Sequence, residues 1–182
     1  MQFEGGIDDG VERGKMMNRY VFPIFSTEKE IQGFSGRDLK YTNKTLPKQR
    51  PKWKHLGSAS KWVYPTFLNN DIIKKDGEVI LVEGIGDILS LWDGGVKNVL
   101  VVFGVGTSRS IFNYLIKINP KKIMISLDDD SGGSFAGNKA SKKLEKRLLK
   151  YFDSYKIIIH PPNKKDFGEM TKEDILKWKN HA

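Results

Sequence analysis

Acidic residues in three separate segments are the part of this sequence best suited to chemistry. Each segment comes shortly after an apolar run, and the acidic residues are Glu83, then Asp128, Asp129 and Asp130, then Asp166. Carboxylates brought together repel one another unless a cation neutralises them, and oxygen ligands without His or Cys nearby favour Mg²⁺ or Mn²⁺. A divalent ion held there and facing phosphates would suit phosphoryl transfer.

Each of these residues taken singly also has a purely structural explanation. An acidic residue after a strand often caps the next helix or lies in a solvated loop, and Glu83 alone would fit that role. Asp129 fits a capping or solvated position even if its two neighbours bind metal. Gly132 and Gly133 follow the Asp-x-Asp pattern and would let the backbone approach a ligand closely, which favours the metal interpretation.

Alternating elements in the second half of the chain would bring the acidic segments together. The runs 78–82, 98–103, 122–127 and 155–160 predict buried strands, and helical patterns follow each of them. This order predicts a parallel sheet flanked by helices. Function in such sheets collects beyond the carboxyl ends of the strands, which is where all three acidic segments fall.

The first half of the chain carries most of the positive charge. The 182 residues have a net charge of +9, and the segment 37–61 contributes +7 because its eight basic residues are opposed only by Asp38. Aromatic residues interleave with these cations, a composition suited to phosphate contacts and base stacking. The alternative is a solvated basic surface whose rings face the core.

Residues 1–77 have the pattern of a smaller, irregular or β-rich unit. The run 19–25 contains a proline and predicts an edge or bent strand, with a hairpin leading to 31–37. Residues 40–60 show little apolar periodicity and predict a loop. Residues 69–77 predict a linker or a short helix that ends in a turn.

Composition excludes several classes of protein. The chain has no cysteine, which excludes a disulfide scaffold and a thiolate zinc site, and its three histidines are scattered. No apolar run approaches the ~20 residues of a membrane helix, and the acidic, Gly-rich N-terminus is unlike a secretory signal. We therefore expect a globular cytoplasmic protein without membrane contact and with an anionic partner.

Several motifs together resemble the topoisomerase–primase (Toprim) domain. The resemblance lies in Val82-Glu-Gly-Ile-Gly-Asp-Ile-Leu-Ser90, Phe103-Gly-Val-Gly106 and Leu127-Asp-Asp-Asp-Ser-Gly-Gly133. It implies Mg²⁺ or Mn²⁺ as the cofactor and catalytic roles for Glu83, Asp128 and Asp130. The implied metal-binding set consists of Glu83, Asp87, Asp128, Asp130 and Asp166.

The first half narrows the resemblance to bacterial and phage DNA primases. Gly33-Phe-Ser-Gly-Arg37 and Pro51-Lys-Trp-Lys54 resemble motifs of their basic N-terminal subdomain. In that family an Arg and a Lys of these motifs line the template and nucleotide groove, and Arg37 and Lys52 match them. The predicted fold is α/β: a Toprim-type parallel sheet flanked by helices (residues 78–182, catalytic), preceded by a smaller basic α+β subdomain (residues 1–77, binding DNA and nucleotides).

The resemblance implies a DNA primase catalytic core that makes RNA primers on single-stranded DNA with ribonucleoside triphosphates, in phage or bacterial replication. The nucleic-acid- and nucleotide-binding residues would be Arg37, Lys40, Lys48, Arg50, Lys52 and Lys54. No zinc is expected in this chain, so a separate zinc-binding module and a replicative helicase are the expected partners, in the bacterial (host) cytoplasm. The alternatives are a metal-dependent nuclease of the Toprim superfamily and a non-catalytic DNA-binding replication module.

Overall fold

The computed structural model describes residues 16–42, 51–104, 108–133 and 135–182, together with the backbone of residues 6–8. The strands are β1 (Gly6–Asp8), β2 (Arg19–Phe25), β3 (Ile31–Asp38), β4 (Trp53–Gly57), β5 (Glu78–Val82), β6 (Val99–Val101), β7 (Lys122–Ile125) and β8 (Ile157–Ile159). The α-helices are α1 (Thr66–Asp76), α2 (Ile85–Asp93), α3 (Arg109–Ile118), α4 (Ala136–Leu148) and α5 (Lys172–Asn180). The strands form two sheets, one in each half of the chain.

The first sheet is antiparallel, with its strands in the order β1-β2-β3-β4. The predicted hairpin is confirmed, with Phe25 opposite Ile31. The strand that contains Pro23 is bent, with a register shift between Ile24 and Phe25, but the prediction of an edge strand is wrong because β2 lies between β1 and β3. The described part of β1 pairs only with residues 19–21. Pro23, which has no backbone N–H to donate, therefore lies beyond this pairing and leaves it undisturbed.

Two predictions for the basic segment and its surroundings need correction. Residues 40–60 are not all loop, because β4 pairs with β3 from Gly33–Gly57 to Arg37–Trp53. This strand ends the sheet and is half-exposed, so it carries no alternating apolar pattern from which it could be recognised. Helix α1 begins three residues earlier than the predicted 69–77 segment and ends at Gly77, whose φ of 67° is left-handed.

The second sheet is parallel, with its strands in the order β6-β5-β7-β8, which confirms the predicted architecture. Both faces of this sheet are covered, because alternate residues of β5 pack into different clusters on its two sides. Its Ile80 and Val82 pack with α2, α5 and the antiparallel sheet, whereas Val79 and Leu81 pack with α1, α3 and α4. A strand buried on both faces reads as a continuous apolar run, which is why the sequence revealed it.

The two sheets share one hydrophobic core. Phe22 and Ile24 of β2 belong to the same buried cluster as Ile80 and Val82 of β5. Between the sheets in the chain, Tyr64 is buried in this cluster and its carbonyl oxygen accepts a hydrogen bond from the Val101 N–H at 3.0 Å. The junction therefore fixes how the two sheets face each other.

Within the described ranges, every helix is too short or too polar to span a lipid bilayer.

Candidate active site

A cavity of about 440 Å³ lies between the carboxyl edge of the parallel sheet and one face of the antiparallel sheet. We call it the cleft. Its acidic wall is formed by Glu83, Asp87, Asp128 and Asp166. Its opposite, cationic wall is formed by Ser35, Arg37, Lys52, Trp53 and His55. The predicted convergence of the acidic segments is thus present, and two of the predicted cations lie across from them.

Main-chain hydrogen bonds hold two carboxylates of the acidic wall in place. Asp87 lies in the first turn of α2 and accepts a hydrogen bond from the Gly84 N–H at 2.9 Å. Asp166 begins a short 3₁₀ turn and accepts one from the Glu169 N–H at 3.1 Å. Both residues therefore cap a helical segment while lining the cleft, so the structural and functional explanations do not exclude each other.

Burial and mutual repulsion raise the pKa of three carboxyl groups on the acidic wall. Burial, followed by repulsion from Asp87, Glu83 and further carboxylates, raises the pKa of Asp128 to about 7. Burial is also the main reason that the pKa of Asp87 rises to about 6. The pKa of Glu83 is raised by burial and by the charge of Asp130. At neutral pH this wall therefore holds negative charge that a cation would stabilise.

The donor chemistry of the acidic wall fits a hard divalent cation. Every candidate ligand is a carboxylate oxygen, which is what Mg²⁺ and Mn²⁺ prefer. In the part of the chain that the structure describes, however, no three His, Cys, Asp or Glu side chains are arranged to hold one ion. The case for a divalent cation here accordingly rests on the type of ligand and on the repulsion among the carboxylates.

The Asp-x-Asp loop divides its three carboxylates between different tasks. Asp128 lines the cleft, whereas Asp129 accepts hydrogen bonds from the Ser131 N–H at 3.0 Å and from Asn138 Nδ2 at 3.1 Å. Asp129 thus stabilises the turn of its own loop and caps no described helix, since the residue before α4 is Phe135. Asp130 accepts a hydrogen bond from the Gly137 N–H at 3.2 Å and is not among the residues that line the cleft.

A glycine that the sequence reasoning missed positions this loop. A Cβ added to Gly137 would lie 2.0 Å from the Asp128 carbonyl oxygen, so only glycine lets α4 pack against the loop. A Cβ added to Gly132 or Gly133 would meet no atom within 4 Å. No described neighbour therefore requires glycine at those two positions, and the predicted close approach of a ligand there stays a prediction.

Strand alternation selects which side chains form the cationic wall. Ser35 and Arg37 on β3 share a face with Trp53 and His55 on β4, because these residues pair across the ladder. Gly33 lies farther along the same face, and a Cβ there would be 2.5 Å from the Trp62 ring. The first glycine of the Gly-Phe-Ser-Gly-Arg motif thus lets the Leu56 carbonyl oxygen and an indole ring both approach the strand closely.

The predicted nucleic-acid-binding cations do not all face the cleft. Arg37 and Lys52 line it, whereas Lys40 and Lys54 do not. Lys48 and Arg50 lie outside the described residues. Asp38, the one acidic residue of the segment, lies 3.8 Å from the Arg19 guanidinium.

His55 and Phe103 are site residues that the sequence reasoning did not single out. The His55 ring packs edge to face on Phe103, with centroids 5.5 Å apart, and burial lowers the pKa of its imidazole. Phe103 has a left-handed backbone (φ 50°), an uncommon state for a bulky residue that tends to occur at functional sites. Recognition of β4 as a strand would have revealed His55, since it lies two residues after Trp53 and so on the same face.

Several proteins that are similar to this chain in sequence and fold are DNA primases. A DNA primase of Helicobacter pylori strain J99 is 32% identical over 136 residues, which cover 75% of this chain and 24% of that protein. The zinc-binding and RNA polymerase domains of Aquifex aeolicus primase superpose with a TM-score of 0.71 at 27% identity, covering 97% of this chain and 43% of that one. This chain therefore spans about a quarter of that curated relative.

A third similarity concerns the fold alone. A primase catalytic domain solved with bound single-stranded DNA superposes with a TM-score of 0.69 at 20% identity, covering 98% of this chain and 56% of that one. The sequence profile of the Toprim-like family matches residues 80–171, from the third residue of β5 to the residue before α5. The resemblance noted in the sequence is confirmed, and the chain belongs to the Toprim-like family.

Proposed function

We propose that this chain is the catalytic core of a DNA primase, which synthesises RNA primers on single-stranded DNA. One observation carries the proposal: four carboxylates and two cations face each other across one cleft, on the two sheets whose fold is that of primase cores. Acidic oxygens opposite cations suit a reaction that brings a polyanionic strand and a triphosphate to a divalent metal ion.

The acidic wall would hold the metal. Glu83 and Asp128, supported by Asp87, Asp130 and Asp166, supply oxygen ligands for Mg²⁺ or Mn²⁺. The bound ion would neutralise charge on the phosphoryl group and favour ionisation of the attacking 3′-hydroxyl. Glu83 has a second candidate role as the proton acceptor, because burial moves its pKa toward the pH at which a general base works.

The cationic wall would hold the nucleic acid. Arg37 and Lys52 are placed to contact phosphates of the template or of the incoming ribonucleotide, and His55 lies beside them. Lys40, Lys48, Arg50 and Lys54 would contact the strand outside the cleft. The similar primase domain with bound single-stranded DNA supports this substrate, although its likeness is one of fold.

The proposal includes a division of labour and a cellular setting. Residues 1–77 would bind DNA and nucleotides, and residues 78–182 would be catalytic. A replicative helicase and a separate zinc-binding module would be partners, in the cytoplasm of a bacterium or of a phage-infected host cell. These partners would choose where on the template synthesis starts.

A primer-synthesis assay tests the proposal directly. The chain is incubated with labelled ribonucleotides and single-stranded DNA, with and without Mg²⁺ or Mn²⁺, and products are resolved on a gel. We expect short RNA products only when metal is present. Metal-dependent cleavage of the DNA without nucleotides would identify a nuclease instead. DNA binding that ignores Mg²⁺, with no product at all, would identify a non-catalytic binding module.

A further inference from the structure

A second cavity of about 380 Å³ adjoins the cleft and differs from it in chemistry. We call it the aromatic pocket. Tyr20, Phe22, Leu39 and Leu89 line it, and it shares Arg37 and Trp53 with the cleft. No carboxylate lines the aromatic pocket. Its volume lies within the range of about 300–1,000 Å³ that is typical of small-ligand sites.

Arg37 forms the partition between the two cavities and lacks an acceptor. Its Nη1 atom is buried and has no hydrogen-bond partner among the described residues. The guanidinium carbon lies 5.8 Å from the Trp53 ring and 5.7 Å from the Tyr41 ring, so rings hold the cation in place. A buried guanidinium nitrogen without an acceptor is costly, and a phosphate oxygen would satisfy it.

Beyond Arg37, the walls of the aromatic pocket offer flat apolar surface. Phe22 packs between Tyr20, at a centroid distance of 5.0 Å, and Trp53, at 6.0 Å. At the mouth, Leu39 is 53% exposed and Leu89 is 37% exposed. A ligand that suits these surroundings has a flat ring for the pocket and an anionic group for Arg37, and a nucleotide unit has both.

We propose that the aromatic pocket binds one unpaired base of a single nucleic-acid strand, with the adjoining phosphate on Arg37. The inference rests on the proposed function, since it assumes that a strand enters the cleft. A strand fits better than a free nucleotide because the exposed Lys40 directly follows Leu39 at the mouth and Lys52 lines the adjoining cleft. Lys40 and Lys52 line no part of the aromatic pocket, so they can contact only a ligand that continues past it.

Abasic substitution combined with a Trp53 variant tests the inference. A ten-nucleotide single-stranded DNA and a set of copies, each lacking one base, are titrated against the protein by fluorescence anisotropy. For the wild type we expect one abasic position to weaken binding by about 5- to 150-fold, the usual range for one stacked base. Trp53→Leu should weaken binding of the intact strand by a similar factor. Removal of the base at that position should then cause no further loss of affinity in this variant.

Two further variants separate stacking from damage to the fold. Trp53→Phe keeps a flat ring and should retain a clear penalty at the same abasic position. Trp92→Leu removes a tryptophan of α2 that lines neither cavity, and it should behave as the wild type does. Circular dichroism at the assay temperature establishes that each variant is folded.

The outcomes distinguish the pocket from the proposed function. If the wild type does not bind the strand at all, both ideas fail. If it binds but no abasic position matters, or if the penalty persists unchanged in Trp53→Leu, only the pocket inference fails. If Trp53→Leu loses affinity for a ribonucleoside triphosphate while its binding of the strand is unchanged, the pocket belongs to the free nucleotide and the assignment to a strand is wrong.

Discussion

The two walls of the cleft are assembled in opposite ways. The acidic wall collects residues from three segments that are far apart in the chain, at the ends of β5 and β7 and beyond β8. The cationic wall comes from two adjacent antiparallel strands and the residue before the second of them. The order of the parallel strands brings the acidic residues together, whereas alternation along a strand determines which residues of β3 and β4 face the cleft. Residues distant in sequence can therefore converge while neighbours in sequence diverge.

The walls also differ in electrostatic cost. On the acidic wall, like charges raise one another's pKa, so the folded protein is strained there in the absence of a cation. On the cationic wall, Arg37 lies over the Tyr41 and Trp53 rings. The first wall is thus the place to look for metal dependence, and the second for dependence on nucleic acid and salt.

The largest effect should come from the acidic wall. Asp128→Asn keeps the shape of the side chain but removes its charge, and we expect primer synthesis to fall by at least about 100-fold because charge stabilisation at the phosphoryl group is lost. Binding of single-stranded DNA should persist. The matched control is Asp129→Asn on the same loop, which should keep the wild-type rate of synthesis. Full activity in Asp128→Asn would show that the acidic wall is not the catalytic site.

The packing that positions the acidic wall can be disrupted by a substitution that changes no charge. Gly137→Ala should destabilise the protein by about 1–3 kcal/mol, because the added Cβ collides with the Asp128 carbonyl oxygen. The sign is informative, since alanine ordinarily stabilises a helix relative to glycine. Gly133→Ala is the control and should be nearly neutral in the same urea titration. Equal stability of the two variants would show that α4 does not pack this closely on the loop.

On the cationic wall, position should matter more than charge. Arg37→Gln should weaken single-stranded DNA binding by about tenfold and lower the slope of log affinity against log salt by about one. Lys40→Gln removes the same charge three residues away, outside the cleft, and should cost less. Anisotropy titrations at several salt concentrations measure both. If the two variants lose equal affinity, the basic segment acts as a diffuse charged surface.

The smallest effect should be the pH dependence of stability that the raised pKa values of the acidic wall produce. Asp128, with a usual pKa of 3.8, has a pKa of about 7 in the folded protein, so the folded state binds this proton more tightly than the unfolded state does. The stabilisation that results is complete below about pH 4 and is lost as pH rises through 7. Asp87, with a pKa of about 6, acts in the same direction.

Differential scanning fluorimetry between pH 5 and pH 8 measures this dependence. Without metal, we expect the melting temperature to fall by a few degrees more in the wild type than in Asp128→Asn. Added Mg²⁺ or Mn²⁺ should stabilise the wild type more at pH 8 than at pH 5, because ligands must be deprotonated to bind. A metal effect that is equal at both pH values would argue against carboxylate ligands.

The fold and site residues of the second half of the chain could be predicted from the sequence more fully than those of the first half. The parallel sheet was predictable because strands buried on both faces must be apolar throughout, and Glu83 and Asp128 could then be placed at their ends. β4 was not predictable from its own pattern, since a half-exposed terminal strand is defined by its partner. The position of His55 depends on that pairing and was out of reach, whereas the resemblance to primases had already selected Arg37 and Lys52, the two predicted cations that line the cleft. Gly137 was missed because only the packing of α4 reveals the steric conflict.

Trp62 gives the cleft a property that neither wall has alone. It is fully buried, and its ring lies edge to face on His55 from the cationic wall, at 5.7 Å, and on Phe103 from the opposite side, at 5.1 Å. Rings packed in this way couple the two sheets, so we expect the gap between the walls to keep one width. We therefore expect the two halves on either side of residue 77 to unfold in a single transition.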